Sequence, residues 1–280
     1  MHKYSIYIFI GIALLFAACT EVIDVDVPVA EARLVVEASI DWEKGTNGNT
    51  QIIKLSSSTP YFAENKSNGV SNASVSVTDN NSNQEFTFVD QQNGEYLCTD
   101  FIPLLNHSYT LNIEHNGENY TAVETLMSVT EIDRIEQSTE DGFDDEVIEL
   151  NMYVPDPADE ENYYLIKFQE EGDLLPELFD VDDEFVDGNE MKFFIEKLDD
   201  EDTGEEEFET GDVVHINLYG ISEAYYNYIR ILIEQTQAGD IFSTIPVAIK
   251  GNCINEANPD NYAFGYFRLT QVDKVTYTVE

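Results

Sequence analysis

Apolar and polar residues alternate one by one along most of this chain, and that period of two commits the backbone to strands. Leu34, Val36, Ala38 and Ile40 fall on one face of a run, as do Val75 and Val77, Phe86 and Phe88, and Leu150, Met152 and Val154. An extended chain turns successive side chains to opposite faces, whereas a helix would need apolar residues three or four apart. The run 109–114 meets Asn116-Gly117 and returns through 119–123. Asn-Gly between two alternating runs predicts a tight hairpin, because both central residues must take positive φ.

Seven strand candidates lie between Arg33 and about Met127, separated by polar turns. The stretches 42–50 and 57–72 read as loops. This spacing predicts an Ig-like or transthyretin-like β-sandwich over 33–127. Residues 128–145 are charged and irregular and read as a linker. The second half, 146–280, is again strand-rich, with runs at 148–154, 163–168, 191–196, 213–219, 263–269 and 275–279. One helix interrupts it. Ser222 can cap that helix, Tyr225, Tyr228, Ile229, Leu232 and Ile233 form one apolar stripe, and Gly239 sits where it would end. The fold expected is mostly β: a β-sandwich followed by a second β-domain carrying one amphipathic helix.

The first residues read as an address. Met1-His2-Lys3 gives a positive start, 6–18 carry no charge, and Ala17-Ala18 precede Cys19. That is the layout of a secretory signal peptide. Cysteine straight after two small residues resembles a bacterial lipoprotein signal, in which the cysteine is acylated after cleavage. A spanning helix needs about 20 apolar residues, and Thr20-Glu21, Asp24 and Asp26 close this run sooner. The expectation is a signal peptide over 1–18, lipidation at Cys19 and a tether over 19–32. Phe16 departs from the usual leucine three residues before the cysteine.

Charge narrows the partners. The chain holds 13 Lys+Arg against 56 Asp+Glu, a formal charge of −43. Such a surface repels nucleic acid and anionic lipid and favours cations or basic protein faces; it also serves solubility alone. Acid-dense stretches at 180–190 and 199–209 are raw material for calcium. Counted from Asp180, however, the sixth position of an EF-hand loop is Phe185 rather than glycine. A looser calcium site stays open, and solvated loops are the simpler reading. His107, His115 and His215 form no HExxH, and GxSxG, GxxxxGK[ST] and GxGxxG are absent. No catalytic, cofactor or metal-binding residue is nominated. Cys98 and Cys253 show no CxxC spacing. Their apolar, strand-like neighbours predict two buried thiols, although an exported protein could bridge them. Tyr61-Phe62, in the 57–72 loop, is the candidate contact for a partner or ligand.

A family resemblance emerges from the order of several short motifs. Ala224-Tyr225-Tyr226-Asn227-Tyr228 is followed by Phe242-Ser243-Thr244-Ile245-Pro246, Lys250-Gly251-Asn252, Asn258-Pro259-Asp260 and Gly265-Tyr266-Phe267. Together with Cys19-Thr20-Glu21-Val22-Ile23-Asp24 and Leu34-Val35-Val36-Glu37, this resembles the DUF4249 family, lipoproteins of Bacteroidota with no assigned activity. Cys253 departs from the pattern, standing where an aliphatic is expected. The resemblance implies an outer-membrane, surface-facing lipoprotein beside a SusC-like TonB-dependent receptor. There it would be a non-enzymatic accessory to nutrient uptake, held to the membrane at Cys19 and shunning nucleic acid. A stand-alone adhesion or ligand-binding module and a cell-surface hydrolase are the rival readings.

Overall fold

Inward-facing alternate residues explain the first half of the computed structural model, which describes residues 31–60, 68–140, 142–184, 186, 188–199, 206–236 and 249–280. Its strands are β1 (Leu34–Glu43), β2 (Gln51–Ser57), β3 (Asn68–Gly69), β4 (Ser74–Asp79), β5 (Gln84–Asp90), β6 (Glu95–Cys98), β7 (Ser108–His115) and β8 (Glu118–Met127). A long C-terminal strand, β15 (Phe264–Thr278), completes it. The order β1-β2-β6-β5-β4-β7-β8-β15 closes on itself because β15 also pairs with β1. Val36, Ala38, Ile40, Leu55, Val77, Tyr109 and Leu111 fill the interior. Two joins of this ring, β5–β6 and β8–β15, are only two residue pairs long. The ring is therefore two β faces joined at short corners, where only the ends of β5 and β8 are paired across the join. Asn116 and Gly117 both take positive φ, 52° and 80°, and make the predicted hairpin between β7 and β8.

The second half adds β9 (Arg134–Ser138), β10 (Glu149–Pro155), β11 (Tyr163–Glu170), β12 (Glu177–Asp182), β13 (Glu190–Glu196), β14 (Val213–Ile221) and helix α1 (Glu223–Thr236). The far half of β15 pairs with β14, so one sheet runs onward as β15-β14-β11-β12. A separate sheet, β13-β10-β9, packs over it. Leu150, Met152 and Val154 of β10 meet Ile166, Phe168, Val214, Ile216 and Leu218 between the two sheets. Helix α1 covers the opposite face, where Tyr225, Tyr226 and Ile229 lie on Leu165, Tyr219 and Ile221. Both β11 and β14 are thus buried on two sides.

Ser222 caps α1 as expected: its Oγ accepts the Tyr225 N–H at 3.1 Å. The same hydroxyl donates to Glu124 of β8 at 2.9 Å, and Tyr266 OH donates to that carboxylate at 3.3 Å. One glutamate therefore ties the helix start to the ring, and burial pushes its carboxyl above the usual range. Gly239, the expected helix terminator, lies outside the described residues.

Three local expectations are corrected. The runs 263–269 and 275–279 are one strand, β15. Six consecutive residues from Phe267 to Val272 are buried, so no alternation survives there. Their polar members are partnered: Arg268 pairs with Asp41, Thr270 Oγ1 donates to the Gly220 carbonyl and Gln271 Oε1 accepts the Val129 N–H; just beyond them Asp273 Oδ2 accepts the Ile132 N–H. The stretch 128–145 carries strand β9, whose residues are only half-buried and so show no clear period. The start of the acid-dense run 180–190, from Asp180 to Asp182, is the end of strand β12, at the sheet edge, where charged residues discourage further pairing.

Where the two halves meet, Arg268 of β15 is buried against Asp41 of β1. Its Nη2 donates to Oδ2 at 3.3 Å, and Nη1 lies 2.9 Å from Oδ1 without hydrogen-bond alignment. The guanidinium sits 5.0 Å from the Tyr219 ring and 5.3 Å from the Tyr225 ring. Lys167 Nζ is 4.9 Å from Tyr219. Burial and the neighbouring Arg268 hold that ammonium below its usual pKa, with Asp41 opposing them. Close by, a Cβ on Gly251 would run into the Gly265 carbonyl and one on Gly265 into the Val36 backbone, so neither tolerates a side chain, and Gly265 takes φ 87°. Asn252 then closes two hydrogen bonds with the Phe267 backbone, at 2.7 and 2.8 Å.

Cys98 and Cys253 are both buried and unbridged. Burial pushes their thiols up to about 11 and about 12 respectively, which makes them packing groups.

Two predictions follow from these charges. Asp41→Asn leaves the Arg268 guanidinium buried with no counter-charge and should lower stability by about 2–4 kcal/mol in chemical denaturation. An Asp41→Asn/Arg268→Met double variant should recover part of the loss. Asp79, in turn, is buried in the ring. Burial alone would raise its carboxyl pKa, but hydrogen bonds from Ser82 Oγ and the Asn81 N–H, with His107 Nδ1 at 2.9 Å, hold it below the usual range. A lowered folded-state pKa contributes stability that is complete above about pH 4 and lost as pH falls through the folded value. Asp79→Asn should flatten the acid side of the stability curve between pH 7 and about pH 3, measured from denaturation midpoints.

Candidate functional site

At the start of β11 and the end of β12 the second sandwich opens into a cleft of about 680 Å³. Three segments distant in sequence build it. The β10–β11 loop contributes Asp159, Glu160 and Glu161, the end of β12 gives Asp182, Asp183 and Glu184, and the first turns of α1 supply Glu223, Tyr226 and Asn227. Tyr163, the first residue of β11, forms the floor with Tyr226; their ring centroids are 5.0 Å apart. The lining is seven carboxylates, two phenols and one amide.

Hydrogen bonds fix this geometry. Tyr226 OH donates to Asp182 Oδ2 at 2.7 Å. Burial, the bond to Asp182 and the charges of Asp182 and Asp180 push that phenol up to about 12. Burial raises Tyr163 as well, followed by the charges of Glu223, Glu161, Asp182 and Asp183. Both rings therefore stay neutral in ordinary buffers. Asp183 is 5% exposed and serves the backbone: its Oδ2 accepts the Asn162 N–H at 2.8 Å. Behind the cleft, Asp156 accepts from Tyr164 OH at 3.1 Å and from the Gly188 N–H at 3.0 Å, holding the loop before β13 against β11. The cleft offers negative charge, hydrogen-bond acceptors and two π faces, which suit a positively charged group.

Among the described residues, no three His, Cys, Asp or Glu side chains are grouped to hold a metal ion. The acid-dense stretches thus split. Part of 180–190 borders the cleft, and the described part of 199–209 lies at the opposite end of the sandwich. His215 is exposed on β14, where its Nδ1 lies 3.1 Å from Thr276 Oγ1, and His115 ends β7 at the hairpin. Cys19, Tyr61 and Phe62 lie outside the described residues. The sequence nominates neither Tyr163 nor Tyr226 as a site residue, although Tyr226 lies in the family motif at 224–228. Tyr226 falls beside the apolar stripe of α1 rather than on it, yet is buried, so the stripe gave no signal for it.

No curated protein matches this chain. Among solved structures it is similar to a two-domain fibronectin type III segment of chicken tenascin, at 11% identity over 60% of this chain and 83% of that one, with a TM-score of 0.22. It is also similar to a cytokine receptor complex, at 9% identity over 68% and 86%, TM-score 0.28. A DUF4785 family protein from Legionella pneumophila shows 10% identity over 67% and 51%, TM-score 0.25. No helix among the described residues is long and apolar enough to cross a membrane. Residues 20–276 match the model of a domain of unknown function, DUF4249, and the chain belongs to that family.

Proposed function

We propose that this protein is a non-enzymatic binding component of the bacterial outer membrane. It is lipid-anchored at Cys19, faces the cell surface, and acts beside a TonB-dependent, SusC-like receptor in nutrient uptake. We further read its closed first half as an Ig-like or transthyretin-like sandwich whose edges have joined. The observation that carries a binding role is the cleft. Its phenols are held neutral, and two of its carboxylates already accept hydrogen bonds, Asp182 from Tyr226 and Asp183 from Asn162. That is equipment for holding a group rather than for breaking a bond. The anchor rests on the Ala17-Ala18-Cys19 junction, and the receptor on the kind of protein this family resembles.

Fractionation tests the reading. The full chain should sediment with outer membranes, and Cys19→Ala should move it to soluble fractions. A detergent extract of the anchored protein should yield a TonB-dependent barrel in stable association. A Cys19→Ala protein that stays in the membrane contradicts the anchor. Recovery without a barrel favours a stand-alone surface module.

A further inference from the structure

The end of the second sandwich opposite the cleft shows large apolar side chains to solvent. Leu174 and Leu175, in the β11–β12 turn, are 92% and 75% exposed, Phe143 in the β9–β10 loop is 85% exposed, and Leu198 after β13 is 42% exposed. The Phe143 ring leans on Phe194, 5.6 Å away, so it is held in place rather than dangling. Glu196 fixes the loop below it by accepting the Phe143 and Asp144 N–H groups at 2.7 and 3.0 Å. Lys197 anchors the other turn through Glu170 at 2.8 Å and Asp173 at 3.5 Å. Two loops, fixed by adjacent residues at the end of β13, thus present apolar tips past the same end of the sandwich. Single exposed leucines are ordinary, but four large apolar side chains on anchored loops at one end of the sandwich mark a contact surface.

The charge around it selects the occupant. Asp144, Asp145 and Glu146 follow Phe143, Glu171 and Asp173 precede Leu174, Glu177 follows Leu175, and Asp199 follows Leu198. Lys197 is already committed to two acids. An anionic membrane surface would be repelled by this rim, and a second copy of this chain would bring two acidic rims together. We propose that this end of the second sandwich is a docking surface for a protein partner whose contact face has an apolar centre ringed by lysine and arginine. The surface lies at the Thr278 end of β15, whereas β1 begins beside the Phe264 end, about 45 Å of strand away. It thus projects away from the point where the chain enters the fold. The inference stands without the lipid anchor or the receptor proposed above.

Site-specific photo-crosslinking in the native cell tests it. A benzophenone side chain replaces Leu175, Phe143 or, as control, the exposed Glu85 of β5, each in the full-length protein. Positions 175 and 143 should give one and the same protein adduct, and position 85 should not. The crosslinked peptide of that partner should carry lysine or arginine beside apolar residues. Adding Phe143→Ser and Leu174→Ser should lower the yield at 175 by about tenfold. These residues are exposed, so an unchanged melting profile would show that the fold is intact. The inference is overturned by no adduct at 143 or 175, by equal adducts at 85, or by adducts only to lipid or to another copy of the chain. A partner peptide without basic residues overturns it too.

Discussion

The parallel pairing of β1 with β15 is the constraint on which both halves depend. Nine residue pairs join them, from Val35 with Phe264 to Glu43 with Val272. The first part of β15 closes the ring, with Phe267 and Leu269 pointing into its core. Val272 then lies beneath α1, and Val275 and Tyr277 reach the second core. One strand therefore serves three apolar clusters in turn. The two partners lie more than two hundred residues apart in sequence, so closing the ring carries a large loop entropy that must be met by long-range contacts. Until the C-terminal strand arrives, β1 has an unpaired edge and the second sheet lacks its first strand.

Burying Arg268 at that junction follows from the same geometry. Residues on β15 alternate between the ring interior and its outer face, and the outer face here is roofed by Tyr219 and Tyr225. A guanidinium tolerates that position because Asp41 supplies charge and the two rings supply π faces. Glu124 plays a parallel part at the start of α1, linking Ser222 and Tyr266. These contacts set where α1 begins, and the first turns of α1 form one wall of the acidic cleft. The cleft's position is thus inherited from the junction, although none of its lining belongs to β1 or β15.

What could be read from the sequence was whatever is encoded locally. Leu34 to Ile40 alternates because one face of β1 is wet. Asn116-Gly117 makes its turn because few other pairs accept two positive φ angles. Ser222 and the Tyr225–Ile229 stripe mark α1 by capping and spacing. The failures have physical causes as well. The stretch Thr270 to Asp273 looks like a turn but is a strand whose polar side chains hold neighbouring backbone. An edge strand such as β12 carries aspartates that resemble a loop. Closure of the ring and assembly of the cleft were illegible, because each joins segments that no short window contains. Tyr163 and Tyr226 become a pair only when β11 lies under α1.

The shared strand implies that ring and second sandwich form one cooperative structure, welded by β15. Equilibrium unfolding in urea tests this, because the single tryptophan, Trp42, sits on β1 and packs against the ring core. Its fluorescence can be followed beside the hydrogen exchange of amides in β11 and β14, which lie in the other half. Welding by β15 should give coincident transitions with one midpoint. Two separated midpoints, with Trp42 changing while β11 and β14 remain protected, or the reverse, would contradict it.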